Sequence, residues 1–102
     1  MKRITLVCGA GMSTSLLVVK MNDAANKLGI EAKIIAVAEA ELRHHIDETD
    51  VLLLGPQVRF LLNKYKTAYE PKGVKVDVIN SIDYGMMNGE KVLNHALTLL
   101  SK

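Results

Sequence analysis

Two rhythms alternate along this chain: short aliphatic runs, and longer stretches with an apolar residue every three or four positions. The first kind reads as strand and the second as amphipathic helix. Arg3 to Val7 is the first strand-like run. Leu17, Met21, Ala24 and Leu28 then form one helical stripe, preceded by Ser13, Thr14 and Ser15 as candidate N-caps and closed by Gly29 as a C-cap. Ala32 to Val37 gives a second strand, and Glu39 to Asp47 a short, charged helix expected to lie mostly in solvent. Val51 to Leu54 is uninterrupted aliphatic, as suits a strand buried on both faces in a parallel sheet.

Gly55-Pro56 breaks that run, after which Val58, Leu61, Leu62 and Tyr65 fall at helical spacing. A turn at Pro71-Lys72-Gly73 leads into a fourth strand around Val74 to Ile79, and a last helix runs from about Glu90 with Leu93, Ala96, Leu97 and Leu100 inward. Strands alternating with helices imply an α/β fold with right-handed crossovers. The expected architecture is a single domain over residues 1–102, with four parallel strands in the order 2-1-3-4 and helices on both faces. Such sheets bind ligands beyond the carboxyl ends of their strands, so the loop after the first strand is where to look for chemistry.

Composition narrows the choice of function. At 102 residues, 49% hydrophobic and 24% charged, the chain can bury one core and is not of disordered type. Its thirteen basic and eleven acidic residues are scattered, which gives no basic arm or patch for nucleic acid. One cysteine excludes an intrachain disulfide and suits a reducing, cytoplasmic compartment. The apolar run from Ile4 to Cys8 is too short for the core of a signal peptide or for a membrane span, so no direct membrane insertion is expected.

The loop Cys8-Gly9-Ala10-Gly11-Met12-Ser13-Thr14-Ser15 joins the first strand to the first helix. Gly9 and Gly11 permit a tight turn and a close backbone approach to an anion, and the helix start adds N–H donors and the positive end of its dipole. The hydroxyls of Ser13, Thr14 and Ser15 can donate further bonds. A thiol at the mouth of such a cradle has its nucleophilic thiolate favoured by the same field. A lone cysteine in an apolar strand is ordinarily a small core residue. Its place at the junction of strand and glycine loop favours the functional reading here.

A cysteine-dependent phosphatase of small size would carry arginine six positions after its cysteine, and here that position is Thr14. Without a guanidinium fork or an acid in the loop, hydrolysis of a phosphocysteine is poorly supported. A carrier needs that slowness, because a phosphoryl group lost to water never reaches its acceptor. Two alternatives remain beside the carrier: a low-molecular-weight phosphatase or arsenate-reductase-like enzyme using the same sulfur, and a noncatalytic phosphate- or flavin-binding module that would not need it. No metal or cofactor is called for.

The segment ITLVCGAGMSTSLLV resembles the phosphorylation loop of enzyme IIB of the bacterial lactose/cellobiose sugar phosphotransferase family, and VLLLGPQV and VINSIDYG resemble that family's later strands and following loops. The resemblance extends over essentially the whole chain. It implies a flavodoxin-like fold of the kind seen in low-molecular-weight phosphatases. It also implies a relay in which phosphohistidine of a IIA component donates to Cys8, and Cys8 passes the group to a sugar held by a membrane-embedded IIC component. Gly9, Ala10, Gly11, Met12, Ser13, Thr14 and Ser15 would form the phosphate cradle. The carrier would be a cytoplasmic monomer that meets the membrane only through IIC, and a free-standing B component suggests a disaccharide of cellobiose or chitobiose type.

Other residues add less. Gln57 and Tyr84 follow the third and fourth strands and are expected at the same sheet edge, where local packing explains them as well as a place beside the site does. Met12, at the loop tip, suits either a docking contact or packing under the helix. His44 and His45 are adjacent, and neighbouring helical positions diverge too far to chelate one metal. His95 is expected to be structural, and Glu39 and Glu41 are expected to lie away from the loop.

Overall fold

A computed structural model describes the backbone of residues 1–8 and 12–101, and the side chains of these other than Cys8, Met12 and Ser13. Four parallel strands form one sheet in the order β2-β1-β3-β4, the order expected: β1 Lys2–Cys8, β2 Ala32–Ala38, β3 Val51–Leu54 and β4 Lys75–Val78. The helices are α1 Met12–Leu28, α2 Leu62–Tyr69, α3 Ser81–Gly85 and α4 Gly89–Leu100.

Side-chain alternation along the two central strands creates two cores. Ile4 and Leu6 of β1 and Val51 and Leu53 of β3 join Leu17, Met21, Val92, Leu93 and Ala96 of α1 and α4. Val7, Leu52 and Leu54 turn to the other face and meet Leu42, Ile46, Val58, Leu61 and Tyr65. All four residues of β3 are buried, which is why its sequence shows no polar alternation. On the first face α1 and α4 approach so closely that a Cβ on buried Gly89 would collide with the backbone of Lys20.

Several expectations are corrected in detail. Glu39 to Asp47 does not form an α-helix but two 3₁₀ segments, Glu39–His44 and Ile46–Glu48. Neither has a side-chain N-cap, and such short runs cannot sustain a nucleus without tertiary support. They lie mostly in solvent, pinned by Leu42 and Ile46. The stretch after Gly55 also starts as 3₁₀, Pro56–Leu61, with a non-helical Val58, before α2 begins. Leu28 ends α1 half-exposed, because the buried contacts of that helix stop at Ala24 and Ala25. Gly29 follows it at φ 69°, the left-handed conformation of a helix-ending glycine.

Candidate functional site

Register places the strand ends level. Cys8 closes β1 opposite Ala38 of β2, Val7 lies opposite Leu54 of β3, and Leu54 lies opposite Val78 of β4. The Gly55 amide donates to the Val7 carbonyl and the Ile79 amide to the Leu54 carbonyl, both at 2.8 Å, so the ladder runs one step past β3 and β4. The segments that follow β1, β2, β3 and β4 therefore leave from one edge of the sheet. That edge is where the fold predicts a ligand.

Gly9, Ala10 and Gly11 lie outside the described residues, as do the side chains of Cys8, Met12 and Ser13. The flanking backbone is defined: β1 ends at Cys8 and α1 begins at Met12. Ser13, Thr14 and Ser15 thus lie inside the first turn of α1 and not ahead of it as caps. A helix leaves the N–H groups of its first turn without acceptors of its own, and that turn carries the positive end of the dipole. No acidic residue occupies it to compete with an anion.

Thr14 is 2% exposed, and its Oγ1 lies 3.3 Å from the Tyr84 hydroxyl across seventy positions of chain. Tyr84 belongs to α3, which the sequence pattern did not disclose. The signal was Asn80, whose side-chain oxygen accepts from the amides of Ile82 at 2.9 Å and Asp83 at 3.1 Å. This capping starts a helix directly after β4 and carries Tyr84 back over α1. The Tyr84 ring is buried with Leu17 and Ile79 in the α1–α4 core. Gln57 also stands at this edge, in the 3₁₀ segment after Gly55, but is exposed. The structure brings Tyr84 and Thr14 together and leaves Gln57 in solvent.

Glu39 is expected to lie away from the loop, whose residues Gly9, Ala10 and Gly11 lie outside the described ones. It directly follows Ala38, the partner of Cys8, and so stands at the same sheet edge. From there it lines a groove on the α2 face with Arg43, Lys64, Tyr65 and Tyr69. Burial raises the Tyr65 phenol above its ordinary pKa, with smaller contributions from Glu39 and Tyr69. His95 Nε2 meets Asp77 Oδ2 at 2.9 Å, tying α4 to β4. Among the described residues no group of three or more His, Cys, Asp or Glu side chains could hold a metal ion, and no helix is long and apolar enough to cross a membrane.

The fold is shared with known proteins. A YwlE mutant of Bacillus subtilis is similar over the full length of both chains, with a TM-score of 0.61 at 13% identity, a likeness of fold alone. The solution structure of a cellobiose-specific phosphotransferase IIB component from Borrelia burgdorferi is similar at a TM-score of 0.80 and 47% identity, over 98% of this chain and 92% of that one. An oligo-beta-mannoside-specific EIIB component of Bacillus subtilis is 40% identical over 98% of this chain and 97% of its own. A galactose-specific EIIB component of Lactococcus lactis subsp. cremoris is 47% identical over the same shares. Residues 3–95 match the family model of the PTS system, Lactose/Cellobiose specific IIB subunit. With that match spanning nearly the whole chain, the protein belongs to the lactose/cellobiose-specific IIB family of the sugar phosphotransferase system.

Proposed function

We propose that this IIB component carries a phosphoryl group on Cys8, taking it from a phosphohistidine of a IIA component and giving it to a sugar bound by a membrane IIC component. The observation that carries the reading is the position of Cys8 as the last residue of β1, with α1 starting at Met12, in a chain of the IIB family. In the first step the Cys8 thiolate attacks phosphorus. A P–S bond forms, the P–N bond breaks, and its electron pair returns to the imidazole. In the second a sugar hydroxyl oxygen attacks phosphorus, the P–S bond breaks to restore the thiolate, and the hydroxyl proton leaves to solvent.

Residues Gly9 to Ser15 form the cradle in this reading, supplying backbone donors where negative charge is held in flight. Gln57, exposed at the same edge, suits a face that meets partners more than a contact to the phosphoryl group. The work is done on the cytoplasmic side of the membrane, where IIA and IIC reach the same edge in turn. The sugar is left to IIC: relatives of comparable identity are named for an oligo-β-mannoside and for galactose.

Intact-protein mass tests the assignment. Wild type incubated with phosphoenolpyruvate, enzyme I, the histidine-containing carrier protein and a lactose/cellobiose-type IIA should gain one phosphoryl group, and Cys8→Ala should gain none. A gain retained by Cys8→Ala moves the acceptor elsewhere and sinks the mechanism.

A further inference from the structure

We propose that Tyr84 is a positioning residue for the phosphoryl site, acting through the hydroxyl of Thr14; the inference rests on the reading of Cys8 as carrier. Both side chains are buried, at 7% and 2% exposure, and their hydroxyl oxygens are 3.3 Å apart. The Tyr84 ring is held by apolar neighbours in the α1–α4 core, a place that phenylalanine would fill without a polar atom to satisfy. The contact of that hydroxyl with Thr14 is therefore informative. It pins the first turn of α1, six positions after Cys8, to a helix launched from the far edge strand of the sheet.

Proton counting gives the contact a direction once a phosphoryl group is present. Phosphoryl oxygens only accept, while each hydroxyl has one proton to donate. If the Thr14 proton is turned toward the phosphoryl group, its oxygen is left to accept from the Tyr84 hydroxyl. The order is then Tyr84 to Thr14 to phosphoryl oxygen, and each bond polarises the next. No proton changes owner; the phenol fixes where the threonine donor points. A neutral donor oriented in this way stands where a phosphatase would place its arginine. It supports the group in transit without the strong clamp of a guanidinium.

The test is rapid-quench transfer from a phosphorylated lactose/cellobiose-type IIA to wild type, Tyr84→Phe, Thr14→Val and the double variant. Each single substitution should lower the saturating transfer rate about tenfold, as loss of one oriented hydrogen bond to a charged centre implies, with the half-saturating donor concentration unchanged. The double variant should be no slower than the slower single one, because both remove the same chain of bonds. A wild-type rate in Tyr84→Phe, losses that multiply, or a change confined to the half-saturating concentration would overturn the proposal. Wild type that takes up no phosphoryl group overturns the carrier reading itself, a result distinct from uptake that Tyr84→Phe leaves unslowed.

Discussion

On one face of the sheet, α1 and α4 seal Leu17, Met21, Leu93 and Ala96 at complete burial against β1 and β3, and the helix backbones come within reach of each other at Gly89. On the other, α2 and the 3₁₀ segments cover Val7, Leu52 and Leu54 with shorter pieces and leave a groove beside Tyr65. That second face also depends on a polar fastening. The Thr49 hydroxyl donates to the His45 carbonyl at 2.8 Å, so the 2.7 Å contact between Thr5 and Thr49 must be a bond that Thr5 donates. The helix that begins after Cys8, at the loop we propose to hold the phosphoryl group, is thus anchored on the side closed by apolar packing. A loop that must hold a charged group in one geometry gains from a rigid support.

The largest expected effect breaks this comparison directly. Leu93→Ala, at a site with no exposure between two helices that cannot close inward, should cost toward the upper end of the roughly 2–5 kcal/mol range for such truncations. Leu61→Ala, 8% exposed within the looser layer, should fall toward its lower end. Urea midpoints measure both. Equal losses would mean that the two faces resist collapse alike and that the contrast is one of shape only.

Next in size is the fastening. Thr49→Val keeps the volume but strands the buried Thr5 hydroxyl and frees the His45 carbonyl, at a cost of about 1–3 kcal/mol. Adding Thr5→Val removes the stranded donor, so the double variant should recover part of the loss in the same urea titration. If Thr5→Val adds a further full loss instead, the hydroxyl pair contributes in some way other than mutual satisfaction.

The contrast between faces also explains what the sequence disclosed. Val51 to Leu54 and the stripe through Leu17, Met21 and Ala24 carry their burial in their periodicity, so the strand order and the α1 face could be read. Periodicity failed where single anchors set the geometry. Leu42 and Ile46 sit at helical spacing but hold 3₁₀ turns, and α3 is only five residues long, started by the Asn80 cap. At the site, the cysteine–glycine junction drew notice because residue type and position coincided. The bond between Tyr84 and Thr14 spans seventy positions and has no local signal. The place of Glu39 beside the end of β1 follows from strand register, which periodicity does not supply.

The smallest expected effect concerns the frame that both faces share. The Asp50 carboxylate accepts from the Arg3 amide at 2.9 Å, from Nε at 3.2 Å and from the guanidinium NH2 group at 3.0 Å, joining the start of β1 to the residue before β3 at the end of the sheet away from Cys8. The Arg3 side-chain bond holds the Asp50 carboxyl below its usual range, with burial opposing and the Arg3 amide and charge assisting. A carboxyl depressed in the folded state contributes stability above its unfolded pKa of about 3.9, and loses it as pH falls through the lower folded value. The two side chains are 41% and 32% exposed, so solvent screens the pair and the contribution is small. Asp50→Asn should therefore be slightly less stable than wild type at neutral pH, with the gap closing as pH falls below about 4. Urea midpoints for both proteins at neutral and acid pH measure that gap. A gap that stays constant would assign the difference to the geometry of the fork and not to its charge. Because β1 and β3 lie under both layers, acid loosening at this end should lower the resistance of Leu93→Ala and Leu61→Ala backgrounds by the same amount. Unequal losses would show that the fork serves one face more than the other.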